Sequence, residues 1–199
     1  MDKLYRKALF LEYFTVGYNI LEAFVSILFG AIANSIALIG FGLDSIAESL
    51  SGMVLVWRLQ KHGKISIELE NRIEKRAQTF VAITFFILAA YVLYESIDKL
   101  VGRKVPEPSL PGIILAIVSI IVMPILMIQK YRMGKRIGSK ALIADSKETL
   151  ACAFLSVALL IGLGINYLLG FWQADPIVGI IIVVFLVREG IETWQESRE

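Results

Sequence analysis

Asp44 and Glu48 stand one helical turn apart in a strongly apolar stretch, and Glu148 and Cys152 repeat that spacing in another. Carrying a carboxylate into hydrocarbon costs about 2.5 kcal/mol or more, so such a group normally faces a partner, a cavity or an ion. Asp44, Glu48 and Ser51 are spaced i, i+4, i+7 and share one helical face; Asp145, Glu148 and Cys152, at i, i+3, i+7, share another. Two carboxylates from one helix with a carboxylate and a thiolate from the other make four ligands, the number a tetrahedral Zn²⁺ site takes. Gly40, Gly42 and Gly52 would let a neighbouring helix approach the first wall closely. Taken singly, the residues have plainer readings. Asp145 and Glu148 suit the N-terminus of a helix, and Cys152 suits a small core position. Asp44 and Glu48 at mid-span tip the balance toward a metal site of Asp44, Glu48, Glu148 and Cys152.

A further pair, Asn19 and Glu22, lies i, i+3 in the first apolar run. Glu22 either relays protons or joins an ion path, or it hydrogen-bonds Asn19 or a neighbouring helix in protonated form; both readings stand. Glu22, Asp145 and Asn19 are therefore accessory candidates. Glu95 and Asp98 are expected to meet interfacial water, Asp175-Pro176 reads as an N-cap followed by proline at the first helical position, and Asn166 reads as a helix contact.

The elements that must position these groups are apolar helices. The 199 residues are 57% hydrophobic, and the mean hydropathy of +0.71 marks an integral membrane protein. Runs of span length occur at 9–31, 35–57, 80–97, 112–128, 148–169 and 176–187, so a single all-α domain of six transmembrane helices is expected. Lys3, Arg6 and Lys7, then Arg58 to Arg76, then Lys130 to Lys140 place the basic loops, and with them both termini, in the cytoplasm. The first run lacks a cleavage site and reads as a retained helix. The charged stretch from His62 to Gln78 reads as a helical extension or a solvated loop, with His62, the one histidine, in a surface role. One cysteine excludes an internal disulfide framework. Nothing in the charge pattern supports nucleic-acid binding. HExxH, GxSxG and intramembrane histidine are all absent, which argues against an enzyme.

The chain resembles the cation diffusion facilitator family of divalent-metal antiporters. The resemblance covers nearly all of the sequence and rests on Ser35-Ile-Ala-Leu with Asp44-x-x-x-Glu48, on Ala141-Leu-x-Ala-Asp145-x-x-Glu148-x-x-x-Cys152, and on Asp175-Pro-Ile-Val-Gly-Ile-Ile-Ile. Gly40-Phe-Gly-Leu-Asp44-Ser and Arg188-Glu-Gly are further reminiscent stretches. The resemblance implies that Asp44, Glu48, Glu148 and Cys152 hold the transported ion. Glu148 stands where the family usually has His or Asp, and Cys152 where it has Asp, so metal preference does not carry over unchanged. The family's usual cytoplasmic domain is not found, which suggests a compact branch made of the membrane domain alone. Further expectations are proton-coupled export, Zn²⁺ as cargo with Cd²⁺, Mn²⁺ or Fe²⁺ as alternatives, no prosthetic group, a homodimer, contact with membrane lipids, and a bacterial or archaeal plasma membrane. A non-transporting membrane adaptor or metal-binding membrane protein is the rival reading.

Overall fold

The computed structural model describes residues 3–61, 66–107 and 109–198; His62 lies outside them. The described residues form six helices: α1 (Lys3–Ile32), α2 (Ile36–Lys61), α3 (Ile67–Gly102), α4 (Leu110–Ile137), α5 (Lys140–Leu169) and α6 (Ala174–Glu196). Five of them, all but α6, are long and apolar enough to cross a membrane. Between Asp175 and Arg188, α6 offers only Pro176 to Val187 as apolar sequence, about 18 Å at 1.5 Å per residue, against a hydrocarbon core of ~30 Å. The helices run longer than the hydropathy pattern suggests, because capping rather than hydrophobicity decides where they stop. Ser66, Ser109 and Ser139 accept hydrogen bonds from Leu69, Gly112 and Leu142 amides and start α3, α4 and α5. Gly138 and Gly170, at φ of 66° and 64°, close α4 and α5 through amide bonds to Gly134 and Asn166 carbonyls. From Ile67 onward the charged stretch thus forms a helical extension of α3, and at 36 residues the helix is about 54 Å long.

Successive helices alternate in direction. Gly30, Gly42 and Gly52 meet Ile39, Ile27 and Val16, which fixes α1 antiparallel to α2; Gly179 and Gly190 meet Ser96 and Phe86, which does the same for α6 and α3. α2 is the hub, packed on α1, α3, α5 and α6. Its buried face includes Leu38, Phe41 and Ala47, which join Leu155, Leu159, Ile182 and Leu186 in one apolar core. Outward-facing Phe24, Ile87, Ile114 and Leu168 present the apolar surface that lipid requires.

Close approach at the α2 glycines holds unevenly. A Cβ at Gly42 would sit 2.8 Å from both Ile27 Cγ1 and Ser26 Cβ, whereas one at Gly40 would make near-ordinary contacts at 3.3 Å and beyond. Gly42→Val is therefore expected to force α1 from α2 and cost about 1–3 kcal/mol. Thermal unfolding in detergent reads this out, and an unchanged midpoint would mean that the α1–α2 seam yields freely.

Asp175 departs from its expected role. Gln173 is the N-cap of α6 and makes no side-chain cap bond, while the Asp175 carboxylate accepts from Ser35 Oγ and, at 2.8 Å, from the Ile36 amide. It caps α2 rather than its own helix. Because α2 and α6 start side by side, one buried carboxylate satisfies an orphan amide of a neighbouring helix and offsets two adjacent positive helix ends. At the same end Lys99 lies in the last turn of α3 and donates to the Asn34 carbonyl and, at 2.7 Å, to its Oδ1. Asp98 pairs at 2.5 Å with exposed Lys104, and the hydrogen bond and charge of that carboxylate hold the lysine pKa above its ordinary value.

Candidate metal site

α2 and α5 cross antiparallel with a register set by Thr149, whose hydroxyl donates to Glu48 Oε1 at 2.7 Å. That register puts Cys152 against both Asp44 and Glu48 and Glu148 against Ser51. The four candidates are thus brought to one seam of the bundle. Asp44, Glu48 and Cys152 are buried; Glu148 is half-buried and lines two small cavities of about 50 and 60 Å³ that it shares with Ser51, Gln78, Glu189, Glu192 and Thr193. As the side chains stand, no three His, Cys, Asp or Glu among the described residues are gathered closely enough to hold a metal ion. Glu48 Oε1 is turned to Thr149. Glu48 Oε2 and Glu148 Oε2, both buried, accept no hydrogen bond.

The helix-terminus reading of Asp145 and Glu148 does not survive. α5 begins at Lys140 under the Ser139 cap, so both acids lie beyond the first turn, where the stabilisation from the helix dipole has faded. Asp145 has a different partner. Lys130, fully buried, places Nζ 2.6 Å from Asp145 Oδ2 and 3.6 Å from Glu12 Oε2, and donates to Thr149 Oγ1 at 3.0 Å. The ammonium therefore ties α1, α4 and α5 together and, through Thr149, reaches Glu48 on α2. The basic-loop reading of Lys130 is corrected: α4 continues to Ile137, and its inward row Ser119, Met123, Leu126, Lys130, Gly134 carries the lysine inside.

Glu22 makes its hydrogen bonds to neighbouring helices rather than to Asn19, within reach of the charge of Asp44. It accepts from Ser45 of α2 at 2.8 Å and from Ser119 of α4, which in turn shares a 3.0 Å hydrogen bond with Tyr18. Asn19 lies buried beside Glu48, and neither its Nδ2 nor its Oδ1 has a hydrogen-bond partner. Sequence reasoning passed over Glu12, Lys130 and Glu189, the last of which faces Asp44 and Glu148 from α6. A signal for the first existed, since Glu12, Thr15, Asn19 and Glu22 form a buried polar stripe along α1 at helical spacing. Glu12, Glu22, Asp44, Glu48, Asp145 and Glu189 are all buried, and Lys130 is the buried cation that lies among them; the other buried lysine of the described residues, Lys99, sits with buried Asp175 at the opposite end. Such an excess of acid needs protons or cations to be tolerated.

Comparison with known proteins agrees in kind. Residues 13–199 match the cation efflux transmembrane domain. An uncharacterized transporter of Methanocaldococcus jannaschii is 25% identical over 174 residues, covering 85% of this chain and 61% of the relative. Transmembrane protein 163 of Xenopus laevis is 23% identical over 188 residues, 94% of this chain and 66% of its own length. A probable cation efflux system protein of Mycobacterium tuberculosis is 29% identical over 171 residues, 84% of this chain and 51% of the relative. The chain thus spans between about half and two thirds of the length of these relatives. With the match running over nearly the whole of the six-helix bundle, the chain is an integral membrane protein that belongs to the cation efflux family.

Proposed function

We propose that this protein exports divalent metal cations across the membrane in exchange for protons, with Zn²⁺ as the preferred cargo and Asp44, Glu48, Glu148 and Cys152 as its ligands. The observation that carries the reading is the surplus of buried carboxylates over buried Lys130 around Asp44 and Glu48, on the seam that also holds Cys152; buried Lys99 sits with Asp175 at the other end of the bundle. The ion enters at the end bearing the basic loops, which the distribution of Lys and Arg assigns to the cytoplasm together with both termini. Glu148 and Glu189 line the small opening there and meet the ion first; Cys152, Asp44 and Glu48 lie deeper. Binding needs the ligands deprotonated, so the arriving ion displaces protons, and protons returning from the other side expel it. Competition for the same lone pairs is the coupling. Closure around the ion requires Glu148 to turn from Ser51, while Glu48 offers its unpartnered Oε2 as Thr149 holds Oε1. The thiolate favours Zn²⁺ or Cd²⁺, and the three carboxylates leave room for Mn²⁺ or Fe²⁺. The protein works as a homodimer in a bacterial or archaeal plasma membrane.

The test is flux. Purified protein in sealed vesicles with a trapped zinc dye should move Zn²⁺ when a pH gradient is imposed and stop when the gradient is collapsed. Vesicles that moved none of Zn²⁺, Cd²⁺, Mn²⁺ or Fe²⁺ would overturn the proposal and favour an adaptor that binds partners through its helices.

A further inference from the structure

At the basic end of the bundle, α1 and α4 enclose a groove of about 950 Å³. Its rim carries Lys3, Arg6 and Lys7 from the start of α1 and Arg132 and Arg136 from the end of α4. All five are exposed, and none of them pairs with a carboxylate among the described residues. The nearest acid on α1, Glu12, is turned inward and held by Lys130. One to two turns deeper the walls become apolar, with Phe10, Phe14, Ile125 and Leu126. Phe10, Phe14 and Ile125 are among the large exposed hydrophobic residues.

We propose that this groove is a binding site for one anionic phospholipid, its phosphate headgroup among Arg6, Arg132 and Arg136 and its acyl chains along Phe10, Phe14 and Ile125. Complementarity of charge and of order carries the assignment. Cations sit at the helix ends, where headgroups lie, and the apolar wall follows at acyl depth. Basic pockets between helices recognise acidic headgroups in this way. A guanidinium adds bidentate phosphate geometry that an ammonium does not supply. A second copy of the chain is a poor occupant, because a symmetric interface through this groove would bring two unpaired basic rims together.

Native mass spectrometry of the purified full chain, titrated with phosphatidylglycerol and phosphatidylcholine of matched acyl chains, tests this. The expected result is a single phosphatidylglycerol adduct retained at least about tenfold more tightly than phosphatidylcholine, since each basic group contributes about a fivefold factor at an acidic membrane surface. Arg6→Gln/Arg132→Gln/Arg136→Gln should lower phosphatidylglycerol retention to the phosphatidylcholine level, while Arg72→Gln/Arg76→Gln, on α3, should keep it. Equal retention of the two lipids by the unaltered protein overturns the proposal without any variant. So does undiminished phosphatidylglycerol binding by the triple variant. A dimer that Phe10→Asp/Phe14→Asp converts to monomer would assign the groove to a second copy and overturn it as well.

Discussion

Lys130→Met should lower the stability of the protein by about 3–5 kcal/mol, the range measured when one partner of a buried ion pair is removed. At ~2–4 °C per kcal/mol for a chain of this size, the unfolding midpoint in detergent falls by roughly 6 to 20 °C. Methionine nearly matches the lysine stem in volume, so the effect isolates charge from packing. What remains is Asp145 without the ammonium at 2.6 Å, Glu12 without the one at 3.6 Å, and Thr149 Oγ1 without the hydrogen bond it accepted from Lys130. Two acids from α1 and α5 would then face each other in a water-poor interior, and protonation is their only relief. That reasoning yields a second arm. Adding Asp145→Asn to Lys130→Met should recover much of the loss, because it removes one of the stranded charges, whereas Lys135→Met, on the exposed face of the same helix, should change little. A Lys130→Met protein as stable as the parent would mean that Glu12 and Asp145 are already neutral and that the network is not an ion pair.

This lysine also marks where the sequence stopped being informative. Hydropathy marks the six apolar runs because every residue in them contributes to the signal, and the i, i+4 acids in α2 and the i, i+3, i+7 set in α5 are legible because helical periodicity alone puts them on shared faces. Lys130 sits in a run with Arg132, Lys135, Arg136 and Lys140 that reads as a basic loop. Only the continuation of α4 to its Gly138 cap turns it inward and Arg132, Lys135 and Arg136 outward. Glu12 and Glu189 were hidden for a related reason, since each lies near the end of an apolar run where a charge ordinarily meets the interface. Asp175-Pro176 reads as an N-cap and first helical residue, yet α6 is already under way at Ala174 and the helix Asp175 caps is α2, a choice made by tertiary packing that no local pattern encodes. Which hydroxyl holds which carboxylate, Thr149 on Glu48 and Ser119 on Glu22, depends on register between helices distant in sequence.

Asp44→Ala and Glu48→Ala should each reduce proton-driven Zn²⁺ flux in vesicles to the level of protein-free controls. Both carboxylates lie on the α2 face that meets Cys152, and no other acid of α2 falls at that depth. Retained flux in Asp44→Ala would remove Asp44 from the ion path and, with it, the proposed ligand set. Cys152→Ser is expected to behave differently. It exchanges a soft ligand for a hard one in a site that keeps three carboxylates, so transport persists while preference moves from Cd²⁺ and Zn²⁺ toward Mn²⁺. Thr149→Val separates ligation from positioning. Valine preserves the shape but releases Glu48 Oε1 from its 2.7 Å hydrogen bond and cuts the link to Lys130. Loss of an outer hydrogen bond costs about 10- to 100-fold in metal affinity. The concentration of Zn²⁺ needed for half-maximal flux should therefore rise by about that factor while the saturating rate stays near that of the parent. If Glu48 instead binds the ion only after leaving Thr149, the same substitution would pre-release it and lower that concentration. The direction of this one shift decides whether the hydroxyl aims the carboxylate at the metal or holds it back.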